Sequence, residues 1–222
     1  MSKARFPFVS VIEKGKRNLP PGSPRYLLFQ LSDIQDRPIE FLGHHWRKYG
    51  DMAKMHDEIQ TVLDGSNPTF EKLPQLQYTR RVFEESLRLF PPGLGLAPRV
   101  ALEDDEIHGY FIPKGSILNV VSYFTSRHPD FWENPELFDP DRFLPENTQQ
   151  RHKFAYIPFG AGSHTCIGKS FALMESTTIL AGIVQRFHIE LVPEQPIEID
   201  PRFTLRPKYG IKVILRKKIN YP

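Results

Sequence analysis

Two groups of side chains in this 222-residue sequence have types and spacings that can do chemistry. The first is the stretch Phe159-Gly160-Ala161-Gly162-Ser163-His164-Thr165-Cys166-Ile167-Gly168, which holds the only cysteine. On residue type alone, a lone thiol is more often a small buried hydrophobe than a reactive group. The setting points the other way. Glycines at 160, 162 and 168 let the backbone turn tightly and let a flat ligand approach closely. A run of helical periodicity begins beside the cysteine, so unpaired N–H groups and the positive end of a helix dipole favour a thiolate there. A thiolate in a glycine-lined loop is a good axial ligand for haem iron. A small zinc site built on His164 and Cys166 is a poor alternative, because structural zinc needs more ligands than one cysteine and scattered histidines supply. The second group is Glu85 and Arg88, three residues apart on a helical stretch and therefore on one face.

Several elements must position these groups. Apolar Met55, Ile59, Val62 and Leu63 predict a helix over about 52–63, stopped by Asp64-Gly65-Ser66-Asn67-Pro68. Val82, Phe83, Leu87 and Phe90 predict a second over 76–90, ended by Pro91-Pro92. Strands follow. Pro98 to Leu102 and Glu106 to Ile112 flank the acidic turn Glu103-Asp104-Asp105 as an expected hairpin, and Ser116 to Val121 is an apolar strand. Residues 126–150 form a proline-rich ordered meander. The longest helix is expected over 167–186, with Ile167, Phe171, Met174, Thr178 and Gly182 along one stripe. Strands are expected again at 188–192, 197–199, 203–205 and 210–215. Ahead of all this, Leu19-Pro20-Pro21-Gly22-Ser23-Pro24 is stiff and extended. Ile39, Leu42, Trp46 and Tyr49 then lie on one helical face ending at Gly50.

Composition bounds the rest. Hydrophobic content of 40% and charged content of 25% are ordinary for a globular protein, and the 21 prolines punctuate periodic segments rather than marking disorder. One cysteine excludes an intrachain disulfide framework and fits a reducing compartment. A net charge of +3 is too small to argue for nucleic acid. No apolar run approaches the ~18 residues of a membrane span, and the N-terminus is not a convincing signal peptide. A soluble, cytoplasmic chain is the expectation.

Together the motifs resemble a known family. Phe159, Gly162, His164, Cys166 and Gly168 fit F-x-x-G-x-[R/H]-x-C-x-G. Glu85-Ser86-Leu87-Arg88 fits E-x-x-R, and Pro140-Asp141-Arg142-Phe143 resembles a P-E-R-F box with Asp for Glu. In this order they are similar to the C-terminal half of a cytochrome P-450, a haem-thiolate monooxygenase, from about Met52 to Leu215. The resemblance implies a mainly α fold with smaller β-sheets (α+β), a partial cytochrome P-450 fold. It divides the chain into a proline-rich arm with a first helix (1–51) and a haem-binding part (52–222). It makes Cys166 the proximal ligand of haem b. Gly160, Gly162 and Gly168 would shape the loop, and Phe159 would shield the sulfur. His164 and Arg99 would partner the haem propionates; the ordinary alternatives are a loop-capping imidazole and a strand-end cation. Glu85, Arg88 and Arg142 would form a buried ion network, and the loop 93–97 and the turn 201–205 would touch substrate. The implied partners are an electron-donor protein and a small apolar organic substrate.

One part of the family pattern has no counterpart here. Tyr49-Gly50-Asp51 runs straight into the helix before E-x-x-R, as though two parts were joined near 50–54. No stretch matches the distal A-G-x-[D/E]-T motif, so no catalytic residue of the distal proton relay is expected, and none matches the W-x-x-x-R helix. Two readings follow: a monooxygenase, or a non-catalytic remnant that binds haem or a partner. Apolar faces left uncovered on the helices carrying Glu85 and following Cys166 would favour self-association.

Overall fold

In the computed structural model, helix α1 (Asp51–Leu63) starts directly after Gly50 and helix α2 (Gln77–Leu89) follows a short 3-10 turn at Leu73–Gln75. Residues 50–201 and 204–218 are described throughout, and 9–12 as backbone. The expected proline-rich arm and the helix ending at Tyr49 lie outside the described residues.

Helical spacing of apolar residues makes α1 and α2 pack. Met55, Ile59 and Leu63 of α1 join Leu76, Tyr78 and Val82, and Ala181 and Val184 of the long helix α5 (Lys169–Arg186), in one core cluster. No side chain of its own caps the start of α2. Glu58 of α1 does so instead. Its carboxylate accepts the Tyr78 N–H at 2.6 Å, the Thr79 N–H at 2.8 Å and the Thr79 hydroxyl at 2.8 Å. Two orphan donors of α2 are thus satisfied from a neighbouring helix.

The stripe expected on the long helix is not the buried one. Thr177, Ala181, Val184 and Gln185 face the core, whereas Phe171 is 60% exposed and Ile167, just before the helix, is fully exposed. The helix is apolar on more than one side, so periodicity alone does not select the face; packing against α1 and α2 does.

The strands also correct one expectation. Strands β3 (Asp105–Ile107) and β4 (Tyr110–Ile112) pair as a hairpin, but its turn is His108-Gly109, both with positive φ (51° and 81°). That is the twist-matched two-residue connection. The acidic stretch serves another turn: the Asp104 carboxylate accepts the Lys114 N–H at 2.7 Å. Strand β2 (Arg99–Val100) therefore pairs with β5 (Ile117–Val120), whose other edge takes β1 (Val9–Ile12), all antiparallel.

A short helix α3 (Ser122–Thr125), the meander, a 3-10 turn at Pro140–Phe143 and helix α4 (Pro145–Gln150) lead back to α5. Two small antiparallel pairs complete the described chain: β6 (Phe187–Leu191) with β9 (Val213–Lys217), and β7 (Ile199–Asp200) with β8 (Arg206–Pro207). Of the strand expected at 203–205, Phe203 lies outside the described residues, and Leu205 directly precedes β8. The architecture is helix-rich with small antiparallel sheets, the expected α+β class. No helix among the described residues is long and apolar enough to cross a membrane.

Candidate functional site

Glu85 and Arg88 form a forked pair in the interior, each with a side chain 0% exposed. Arg88 Nε donates to Glu85 Oε2 at 2.6 Å and Nη2 to Oε1 at 2.8 Å. Its remaining donors reach the meander: Nη1 to the carbonyls of Ser126 (2.9 Å) and Pro135 (2.6 Å), Nη2 to that of Leu137 (3.0 Å). Every N–H of the guanidinium is matched. Glu85 Oε1 also accepts the Asp139 N–H at 2.8 Å, and Arg142 Nε stands 3.6 Å from it. Burial pushes the Glu85 carboxyl above the usual carboxylate range, opposed by the bonds and charge of Arg88, by the Asp139 N–H and by Arg142.

Two further cations belong to this region, and neither was singled out from sequence. Arg151 lies over Trp132 (4.2 Å) and Phe143 (4.9 Å) and donates to the Arg142 carbonyl, while Arg88 lies 4.9 Å from the Trp132 ring centre. Arg127 binds the end of α2 through the carbonyls of Arg88 and Leu89. No motif announces either residue; Arg127 acts on carbonyls 38 and 39 residues away and Arg151 on one nine residues away.

The cysteine loop is built from its own backbone. Cys166 N–H donates to Phe159 O at 2.8 Å, Thr165 N–H to Gly162 O at 3.1 Å, and Gly160 N–H to Ile157 O at 3.1 Å. Gly160 has φ 77°, and a Cβ there would stand 3.2 Å from the His164 carbonyl; Gly162 has φ 68°. These two positions favour glycine for backbone reasons. Gly168 has φ −80° as the residue before α5, so its backbone does not require glycine. A Cβ there would lie 3.7 Å from Cys166 Sγ, an ordinary contact.

The loop forms one wall of a cavity of about 580 Å³. Arg99, Phe159, Gly160, His164 and Cys166 all line it, joined by Phe83 and Leu87 of α2, the loop 92–97, and Ala172 and Ser176 of α5. Cys166 is a free, exposed thiol. Gly162 and Gly168 do not line the cavity, nor do the buried Glu85 and Arg88 or the partly buried Arg142. Gly95 packs tightly at its edge, where a Cβ would come within 2.8 Å of the Val120 carbonyl.

A sequence profile described as Cytochrome P-450 matches residues 50–215. The chain belongs to the cytochrome P-450 family. It is 40% identical over 168 residues to human (Homo sapiens) cytochrome P-450 4V2, covering 74% of this chain and 32% of that one. It is likewise 40% identical over 163 residues to cyclooctat-9-en-7-ol 5-monooxygenase of Streptomyces melanosporofaciens, covering 73% of this chain and 35% of that one. The crystal structure of the cytochrome P-450DA haem domain superimposes with a TM-score of 0.73 at 30% identity, covering 80% of this chain and 39% of that one. The chain thus spans about a third of the length of the curated relatives it matches. Members of this cytochrome P-450 family are haem-thiolate monooxygenases in general.

The residues of the cavity fit haem. Cys166 offers a soft sulfur donor, the positive φ of Gly160 lets backbone rather than side chain form the wall beside it, and Arg99 and His164 bring donors for carboxylates to the same cavity.

Proposed function

We propose that this chain would hold haem b in the cavity at the cysteine loop, with Cys166 supplying the sulfur ligand to its iron. In this reading it serves as the haem-holding part of a monooxygenase that inserts one oxygen atom of dioxygen into a small apolar organic substrate, with electrons from a donor protein. The convergence of Arg99, Phe159, His164 and Cys166 on one cavity, from positions up to 67 residues apart, carries the reading. When bound, haem supplies the redox and oxygen chemistry that the protein's own side chains lack.

The chain's residues hold and tune. Cys166 sits in a loop closed by its own bonds, just ahead of the start of α5. Phe159 lines the same cavity as Cys166 and would shield the sulfur once haem is bound. Arg99 and His164 would pair with the carboxylates of the bound group. Glu85, Arg88 and Arg142 touch no ligand in this scheme; they lock α2 to the meander behind the site. Residues 52–222 act as the haem-binding part, with 1–51 as an appended arm.

A second reading has a specific observation in its favour. No stretch of this sequence matches the distal A-G-x-[D/E]-T pattern, so haem or partner binding without turnover is the alternative. One experiment decides between them. The purified chain is reconstituted with haem, reduced and exposed to carbon monoxide. A thiolate-type Soret band that is lost in Cys166→Ala supports the ligand assignment, and absence of haem uptake overturns it. Substrate-dependent oxygenation with a reductase system then separates enzyme from remnant.

A further inference from the structure

The loop 92–97 lines the cavity together with the cysteine loop. Its backbone is held by neighbours. The Leu94 carbonyl accepts the Tyr123 N–H at 3.0 Å and the Ser122 hydroxyl at 3.3 Å; the Leu96 N–H donates to Val120 O at 2.8 Å. The Pro92 carbonyl accepts the Leu205 N–H at 2.8 Å. Besides these contacts with Leu205 and the end of β5, the loop is placed by two bodies: the end of α2, from which it springs, and the start of α3.

One side chain joins those two bodies. Arg127 is 10% exposed, and its guanidinium stacks 3.8 Å from the Tyr123 ring centre and 5.9 Å from that of Phe90. Nη1 donates to Arg88 O at 3.4 Å and Nη2 to Leu89 O, two of the last carbonyls of α2. Nε pairs with the Glu136 carboxylate at 3.2 Å. The cation thus closes the C-terminal end of the α2 dipole and presses against the ring of the residue whose N–H holds Leu94. Phe90, Leu94, Val121 and Leu205 pack together around Tyr123 and Phe124, so the anchor and the loop share one apolar cluster.

We propose that Arg127 is a positioning residue for the cavity wall 92–97, acting through the end of α2 and Tyr123 without contacting the cavity itself. The proposal rests on the reading that the cavity holds haem and an apolar substrate. Only a forked, planar cation can donate to two successive carbonyls and to Glu136 while lying flat on a ring; lysine, a single point charge, cannot. Arg127→Lys keeps the charge and releases the wall, while the Cys166 loop, built from its own backbone, stays as it is.

The test uses the haem-reconstituted full chain and two probes, imidazole and 4-phenylimidazole, titrated by Soret shift. Both ligate iron, but only the phenyl group reads the cavity wall. In Arg127→Lys, 4-phenylimidazole binds at least about tenfold more weakly, the factor carried by one lost hydrogen bond to a charged group, while imidazole affinity and haem uptake are unchanged. Parallel weakening of both probes, or of neither, overturns the proposal. A haem-free measurement guards against a failed reconstitution. Hydrogen exchange at the Tyr123 and Leu96 amides speeds up in Arg127→Lys while that at the Cys166 amide does not; unchanged exchange at Tyr123 overturns the proposal. If the unsubstituted chain takes up no haem, the haem reading fails, and the exchange result alone decides the role of Arg127. Should Arg127→Lys not fold, Tyr123→Leu removes the stacking surface but keeps the N–H, and the same selective loss is expected.

Discussion

Two regions that face each other across α2 solve opposite problems. The Glu85–Arg88 network is sealed, with every guanidinium N–H matched and both side chains fully buried. The Cys166 loop leaves its thiol exposed beside an open cavity, held by bonds within the loop such as Cys166 N–H to Phe159 O and the Thr165 hydroxyl to Gly162 O. The difference teaches that rigidity and reactivity are kept apart. A buried charge pair is tolerable only when fully partnered, and removing one partner strands the other. A ligand-holding thiol must stay unpartnered, so its geometry has to come from backbone shape and from the rigid layer behind it.

This contrast can be broken from either side. The largest effect is expected at the open side: Cys166→Ala abolishes the thiolate-type Soret band of the reduced carbon monoxide complex, while its thermal unfolding midpoint stays close to that of the parent chain. The sealed side should show the reverse emphasis. Glu85→Ala leaves Arg88 buried and uncompensated, costing about 3–5 kcal/mol, read as a lower denaturant midpoint. A midpoint unchanged by that substitution would sink the idea of a sealed network.

Smaller effects sharpen the comparison. Gly160→Ala forces a side chain into φ 77° and toward the His164 carbonyl, and is expected to cost about 1–3 kcal/mol. Gly109→Ala, also at positive φ but with open space around it, should cost less; equal losses at the two sites would show that crowding in the cysteine loop is unimportant. Glu58→Ala removes the carboxylate that caps α2 and should cost about 1 kcal/mol in urea unfolding, with the Cys166 signature retained. The mildest change is at the surface. Phe171→Ser on the uncovered face of α5 should alter monomer stability by less than about 0.5 kcal/mol. Sedimentation velocity at increasing concentration should show less self-association in that variant; identical profiles would exclude this face as a contact between copies.

Much of the site was legible as spacing. Glu85 and Arg88 meet because residues three apart share a helical face, and the glycines at 160 and 162 announce positive φ. The helices over 52–63 and 76–90 were readable within a residue or so at each end, because apolar periodicity and proline stops are local signals. The hairpin was misread because Glu103-Asp104-Asp105 looked like the turn. His108-Gly109 provides the two positive-φ residues that a tight connection needs, and Asp104 instead caps the bend at Lys114. Which face of α5 is buried was not legible, because a helix apolar on more than one side gives no unique face.

The sequence by itself determined the identity of the cysteine loop, the E-x-x-R pair and the helices that carry them, since these depend on contacts within a few residues. Only the tertiary structure decided what those groups work against. Arg88 finds carbonyls 38 to 49 residues away, Arg127 finds the end of α2, and Arg99 meets Cys166 across one cavity. Backbone carbonyls are the same at every position, so no pattern of side chains can say which of them a distant cation will reach; that is settled when the chain closes on itself.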